Sequence, residues 1–276
     1  MVLVNPSLEY LKQDDMIGNN HVAQCAAVCY KTEKFNVTRM IERLVRDGHI
    51  SMFRHASHYY RIPKLSEIGL RLGRYLDDCK LFGNNPFIPY VIGKDDYFIV
   101  LNGQYVIEHA KFESDIREYE IPENEFSEYA PNLVRFTFVI VCSIKVSREL
   151  NRVSPNNIAE QSTRYVNFLN KYGDVTVCKS VDSHLSDDNK KLIYDYLKEE
   201  TDIYRHLIEN KIAPEDARRI LPLDTATRCA YTYTLDEWKH ILDLRYYEKT
   251  GKAAPDAKVI GELIHDKLLK LGYLNE

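Results

Sequence analysis

Between Ser147 and Phe168 the chain reads SRELNRVSPNNIAEQSTRYVNF, placing Arg148, Arg152 and Arg164 among the hydroxyls of Ser147, Ser154, Ser162 and Thr163. A guanidinium is a planar fork of donors that fits phosphate or carboxylate, and a hydroxyl adds another donor. Arg152 and Arg164 bracket a polar stretch with Pro155, Asn156 and Asn157. Such a loop can cradle a phosphate, although no GxxxxGK[ST] occurs in the chain. An ordinary polar loop has the same composition, because Ser and Asn favour turns.

A second candidate is Arg245. In TLDEWKHILDLRYYEKTG the apolar helix face is made by Trp238, Ile241 and Leu242, and the spacing points Arg245 the same way. A buried guanidinium cannot shed its proton, so it must meet a carboxylate, a line of carbonyls or an anionic ligand. A structural salt bridge or a snorkelling side chain would satisfy it equally. Arg218 and Arg219, in PEDARRILP, can divide between an inward and an outward role or form a solvated charge pair. His49 and His55 flank ISMFR without HExxH spacing or a carboxylate cluster, which argues against a metal site. GxGxxG is absent, and no Gly-x-Ser-x-Gly or Cys–His nucleophile arrangement stands out.

The elements that must position these residues follow from periodicity. NVTRMIERLVRDGHIS predicts a helix capped by Asn36 or Thr38 and ended at Gly48, and HASHYYRI reads as extended. Asn102-Gly103 in DYFIVLNGQYVI predicts a hairpin. PENEFSEYAPN reads as an acidic loop, and Val134–Cys142 as a buried central strand. SRELNR suggests a short helix capped by Ser147 and ended by Pro155.

Further on, Leu192, Ile193, Tyr196, Leu197, Ile203, Tyr204, Leu207 and Ile208 make one apolar helix face. Pro214 suits a first helical turn, in a helix that Pro222 closes. Thr234 and Glu237 have capping-box spacing for a helix ending near Gly251, and DAKVIGELIHDKLLKLGYL is a last amphipathic helix. No repeat, low-complexity segment or linker divides the chain, so a single α+β domain is expected, a central sheet flanked by helices.

A net charge of −4 on 276 residues argues against a general nucleic-acid or membrane-surface binder, yet leaves room for one local basic pocket. The chain is long enough to bury a core without disulfide or metal staples. Among Cys25, Cys29, Cys79, Cys142, Cys178 and Cys229 only the first two are close, and most have apolar neighbours, which predicts buried free thiols. With no signal peptide and no membrane-spanning apolar run, a reducing cytoplasm is the expected compartment.

Taken together, these segments resemble the flavin-dependent thymidylate synthases. That family's signature is Arg-His-Arg, about seven residues, then Ser-x-Arg-Tyr, and RVSPNNIAEQSTRY from Arg152 to Tyr165 has matching spacing. Val153 and Ser154 stand where the family places the histidine and second arginine. AAVCY, GHISMFRH, EDARRILP and HILDLR appear in the family's order, with Arg54 and Thr234 at positions where the family usually has Glu and Asn. The stretch from about 63 to 131 looks like an insertion that some members carry.

The resemblance implies an enzyme that makes dTMP from dUMP with FAD, NADPH and methylenetetrahydrofolate, in a homotetramer whose sites are shared between subunits. It implies that Arg152, Ser162, Arg164 and Arg218 hold dUMP, with Glu149 and Gln161 beside it. Arg245 would face the uracil as the catalytic residue. His49, Ser51, Arg152, Thr234 and His240 would border FAD. Two alternatives stay open at this point: a same-fold enzyme acting on another uracil nucleotide, and a nucleotide-binding protein without catalysis.

Overall fold

The β-branched and aromatic run RFTFVIVCS forms the strand around which the main sheet is built. In the computed structural model, which describes residues 1–30, 34–84, 88–152, 157–181 and 184–275, two strands come first, β1 (Val2–Val4) and β2 (Ser7–Leu11). Helices α1 (Asn19–Tyr30) and α2 (Val37–Arg46) follow, then β3 (Ser57–Pro63), α3 (Glu67–Leu81), β4 (Tyr90–Ile92) and β5 (Asp96–Asn102). Next come α4 (Gly103–Glu108), α5 (Ala110–Ile116), β6 (Glu120–Ile121) and α6 (Glu123–Tyr129). The central strand β7 (Arg135–Ser143) leads into α7 (Ile144–Asn151), β8 (Ile158–Glu160), α8 (Phe168–Tyr172), β9 (Thr176–Cys178) and α9 (Asp187–Glu209). The last elements are α10 (Pro214–Ala217), β10 (Ala226–Thr234), α11 (Leu235–Arg245) and α12 (Pro255–Lys270).

The architecture is α+β. The main sheet has the order β2-β7-β10-β8, and a second has β4-β5-β3-β6. β7 and β10 run antiparallel from Arg135 opposite Thr234 to Ser143 opposite Ala226. That register sends Phe136, Phe138, Ile140, Tyr231 and Tyr233 to one face, against Trp238, Ile241, Ile260 and Ile264 of α11 and α12. Val139 and Ala230 go to the other face, against Cys25 and Val28 of α1. The second sheet has its own core of Tyr60, Ile62, Leu72, Leu76, Ile99 and Leu101. All six cysteines are free thiols, and all but Cys29 are buried.

On the α1 face a polar seam crosses the sheet. His21 Nε2 lies 2.8 Å from Thr137 Oγ1, Thr137 Oγ1 is 2.6 Å from Thr232 Oγ1, and Thr232 Oγ1 is 2.7 Å from His55 Nδ1. Burial pushes His21 down from 6.5 to about 4 and His55 to about 3. Both rings therefore stay neutral in the fold, while in the unfolded chain they take up protons near pH 6.5. Their contribution to stability is complete above that pH and is lost as pH falls toward 4 and below. Burial holds Glu123 above its ordinary range, a single carboxyl acting in the opposite direction. We expect the unfolding free energy from urea titrations to fall steadily between pH 7 and pH 5, by roughly 2 kcal/mol per histidine at the lower limit, and the urea midpoint to fall with it. A flat midpoint over that window would contradict neutral burial.

Several local expectations are corrected. Asn102-Gly103 is not a hairpin turn: Asn102 Oδ1 accepts from the Tyr105 N–H at 2.9 Å and caps α4. A side chain at Gly103 would meet the Phe53 carbonyl at 2.8 Å, so close backbone approach explains the glycine. The acidic segment is helix α6 rather than a loop, held because Phe126 is fully buried against Tyr59 with ring centroids 4.8 Å apart. α7 starts one turn earlier than expected, capped by Ser143 and not Ser147. In α9 only part of the apolar face packs: Tyr204 is buried with Leu197, Leu207 and Ile208 against its cluster, whereas Leu192, Ile193, Tyr196 and Ile203 are exposed. α11 ends at Arg245, short of Gly251. Asn36 does cap α2, and the Thr234–Glu237 capping box is formed.

Candidate functional site

The segment after β8 is fixed at both ends. The Gln161 N–H donates to the Arg228 carbonyl at 2.8 Å, prolonging the ladder with β10, and the Ser162 N–H donates to the Cys29 carbonyl at the end of α1 at 2.9 Å. Ser162 Oγ accepts from the N–H groups of Arg164 and Tyr165 at 3.2 and 3.3 Å, which folds the segment into a tight turn. The hydroxyl thus organises the turn, and among the described residues its proton has no acceptor. Thr163 Oγ1 accepts from Arg218 Nη1 at 3.2 Å, and Arg164 Nε donates to Glu215 Oε2 at 2.7 Å. Four groups expected or implied for anion binding, Ser162, Thr163, Arg164 and Arg218, therefore share one rim, where the turn meets α10. Both guanidiniums are exposed there. The hydrogen bond from Glu215 reinforces the charge on Arg164. An incoming dianion would compete with Glu215 for the same fork.

Gln161 and Glu160 have structural partners that sequence reasoning missed. Gln161 is buried, and its carbonyl accepts from the Tyr172 hydroxyl. Glu160 Oε1 accepts from Ser147 Oγ and Thr227 Oγ1, both at 3.0 Å, and so ties α7 to two strands. Alternation along β8 was the available signal, since neighbouring side chains there must serve opposite faces. For Glu215 the signal was an acidic residue beside the two arginines of PEDARRILP.

Arg245 lies on the face covered by α7, α11 and α12, opposite the face bearing α1. Its side chain is 19% exposed, with Nη1 3.5 Å from Glu149 Oε2 and Nη2 donating to the Glu149 carbonyl at 3.3 Å. Its Nε is buried and has no hydrogen-bond partner among the described residues. The salt bridge foreseen as one possibility exists, but it is long and leaves a donor unused. Arg152 is exposed at the C-terminal end of α7. Val153 and Ser154, where the signature departs from the family pattern, lie outside the described residues.

Of the residues implied for FAD, Thr234 ends β10, His49 and Ser51 belong to the turn near that end, Arg152 ends α7 and His240 lies on α11. His49 and Ser51 are exposed at the start of the 3-10 turn Ile50–His55. Arg135, opposite Thr234, holds that turn by donating to the carbonyls of Arg54 and Ala56 at 2.7 and 2.8 Å. His240 is exposed on α11. Thr234 is engaged otherwise, its hydroxyl donating to Glu237 Oε2 at 3.0 Å and accepting from the Glu237 N–H at 3.3 Å.

Along β10 the Gln161 end, opposite Arg228, and the Thr234 end are separated by roughly 20 Å, at about 3.3 Å per residue. One protomer thus brings together the anion-binding rim and, separately, sets the His49–Ser51 turn near the Thr234 end. It does not bring either to Arg245 within direct contact. Among the described residues no cluster of three or more His, Cys, Asp or Glu is placed to hold a metal ion, and no helix is long and apolar enough to cross a membrane.

With this geometry established, comparison with known proteins adds the following. The family model described as "Thymidylate synthase complementing protein" matches residues 130–268. That range contains the rim and Arg245, while His49 and Ser51 fall before it. A flavin-dependent thymidylate synthase of Kosmotoga olearia is 30% identical over 144 residues, 45% of this chain and 61% of that protein. The matched part therefore spans less than two thirds of that relative's length. A UMP/dUMP methylase from Streptomyces cacaoi bound with 5-Br dUMP covers 98% of this chain and 93% of its own at 14% identity, with a TM-score of 0.46. The same methylase bound with 5-Br UMP gives 15% identity and the same TM-score of 0.46, covering 98% and 92% of the two chains.

Proposed function

The chain belongs to the thymidylate synthase complementing protein family, and from that premise we propose that it is a flavin-dependent thymidylate synthase converting dUMP to dTMP. Methylenetetrahydrofolate is the one-carbon donor in this reading, and NADPH is the source of electrons. The observation that carries it is the rim in which Ser162, Thr163, Arg164 and Arg218 converge from two segments of the chain. A nucleoside monophosphate carries close to two negative charges at neutral pH, and charge-assisted forks are its natural holders. Arg164 and Arg218 would take the phosphate, Glu215 giving way, and Ser162 would donate its proton. Gln161 and Glu149 would border the nucleotide.

His49, Ser51, Arg152 and His240 would hold FAD, with Thr234 contributing through the end of its helix more than through its own committed hydroxyl. Bound there, the flavin supplies the reducing equivalents. The protein's own part is to hold the pyrimidine against it, keep water out and stabilise charge on the ring. Arg245 would do the last of these, since a fixed cation beside an ionised N3 favours electron density at C5. Because the two ends of the sheet lie far apart in one protomer, the working site is shared between copies, in a homotetramer. Residues from about 63 to 131 are read as an insertion within one domain, and the cytoplasm as the compartment.

Two measurements test this. The purified protein is expected to bind FAD, seen as a flavin absorption spectrum, and to convert dUMP to dTMP with methylenetetrahydrofolate and NADPH; absence of flavin binding in either redox state would sink the reading. Arg164→Ala is expected to weaken dUMP binding roughly 10- to 100-fold, the loss of a charge-assisted hydrogen bond. Deoxyuridine, which lacks the phosphate, should bind both proteins alike, and calorimetry with the two ligands checks it.

A further inference from the structure

We infer that a cleft on the α1 face, at the end of the main sheet remote from Thr234, binds a small molecule bearing a single carboxylate. The cleft has a volume of about 270 Å³ and is lined by Asn5, Ser7, Gln161, Thr176 and Arg228, with Val141 among its apolar walls. Gln161, which would border the nucleotide, also lines this cleft, so the two sites share that residue while Arg228 and Thr176 belong to the cleft alone.

Three observations set the chemistry of the occupant. Among the described residues no Asp or Glu lines the cleft, and its polar groups are hydroxyls, amides and one guanidinium. Arg228 Nε is buried and has no hydrogen-bond partner among the described residues, while Nη2 donates to Glu9 Oε2 at 3.0 Å. The Arg228 side chain is 41% exposed, and its outer Nη edge, rather than the buried Nε, is what an oxygen entering from the cleft can meet. The Gln161 carbonyl is turned to the Tyr172 hydroxyl, which leaves its amide N–H groups to donate. The site is thus rich in donors, with one cation already half compensated by Glu9.

Charge and size then narrow the ligand. A dianion such as phosphate would be undercompensated by a single guanidinium that already has a carboxylate partner. A monocarboxylate matches it, in the planar geometry that arginine prefers. The volume lies just under the range usual for drug-sized ligands, so the body of the molecule is one ring or an amino-acid side chain. The apolar walls receive that body, and the donors around Arg228 receive the carboxylate.

The test is calorimetric titration of the full chain with benzoate, benzamide and inorganic phosphate, without nucleotide. Benzoate is expected to bind with a Kd near or below roughly 1 mM, and benzamide at least ~10-fold more weakly, since only benzoate offers an ionised acceptor. Arg228→Met should weaken benzoate at least ~10-fold. Thr176→Val, which leaves the arginine in place, should weaken it several-fold, and Glu9→Gln should strengthen it. Arg164→Ala should leave benzoate affinity unchanged; if it abolishes binding, the probe sits on the nucleotide rim and the inference falls. Equal affinity for benzoate and benzamide, tighter binding of phosphate, or no saturation by about 10 mM benzoate would each overturn it. Circular dichroism of each variant verifies that the fold is kept.

Discussion

Arg245→Ala is expected to lower turnover by about 100-fold or more, while leaving the affinity for dUMP within a few-fold of the unaltered protein. The magnitude is that of removing one preorganised electrostatic stabiliser from a dry site. The split between turnover and affinity follows from the role: charge on the pyrimidine is larger in the transition state than in the bound substrate. The structure supplies the reason to single out this arginine. A guanidinium that existed only to anchor α7 to α11 would use its donors fully, yet the contact to Glu149 is 3.5 Å long and Nε is unpaired among the described residues. A purely structural arginine predicts a different pattern, with a lower melting temperature and unchanged turnover per folded molecule. Arg245→Lys separates the two roles, because lysine keeps the charge but loses the planar fork. Partial recovery of turnover by lysine would support the electrostatic role. Steady-state kinetics with melting curves on both variants decide the matter, and normal turnover in the alanine variant would remove the proposed role.

How much of this could be read from the chain depends on whether the deciding interaction is local. β7 announced itself because nine consecutive strand-forming residues leave no other option. The start of α11 was legible because a capping box is a contact between residues three apart. Asn102 misled because its side chain can bond an N–H two or three residues on in either a turn or a helix cap. What selects the cap is Gly103 lying against the Phe53 carbonyl, a contact of distant segments. α6 was hidden in the same way, since its order comes from Phe126 entering the core beside Tyr59. Ser143 and Ser147 could equally have capped α7, and the length of the β7 ladder decided between them.

Candidate residues could be named from the chain, but their placement in the fold could not. The family resemblance named Ser162, Arg164 and Arg218, but nothing in the linear spacing said that Arg245 falls on the opposite face of the sheet. Period-two alternation assigns faces only once the register of β7 with β10 is known. The same register exposes the distance between the rim and the His49 end, which is what makes a site shared between copies the economical reading.

Trp238 is the largest of the buried side chains that seat the helix carrying Arg245 and His240. Trp238 is fully buried, with ring centroids 4.7 Å from Phe138 and 5.0 Å from Tyr233, and its Nε1 donates to the Phe136 carbonyl at 3.0 Å. Trp238→Ala is expected to cost about 3–5 kcal/mol, combining lost transfer energy with the cavity left behind. For a chain of this size that corresponds to a fall of roughly 10 °C in melting temperature. Trp238→Phe should cost less, because it keeps the aromatic packing and loses the hydrogen bond to the Phe136 carbonyl, worth about 1 kcal/mol. Denaturant unfolding of both variants measures these losses, and a cost below about 1 kcal/mol for alanine would show that α12 alone holds α11 in place. The functional consequence is specific. α11 also packs on α12, where a side chain at Gly261 would come within 3.0 Å of the Arg245 backbone, so the helix can shift only if that close contact opens. If Trp238 sets the position of Arg245, turnover in the alanine variant should fall at temperatures where the protein is still fully folded, with less effect on dUMP affinity, because the Arg164–Arg218 rim lies on separate elements.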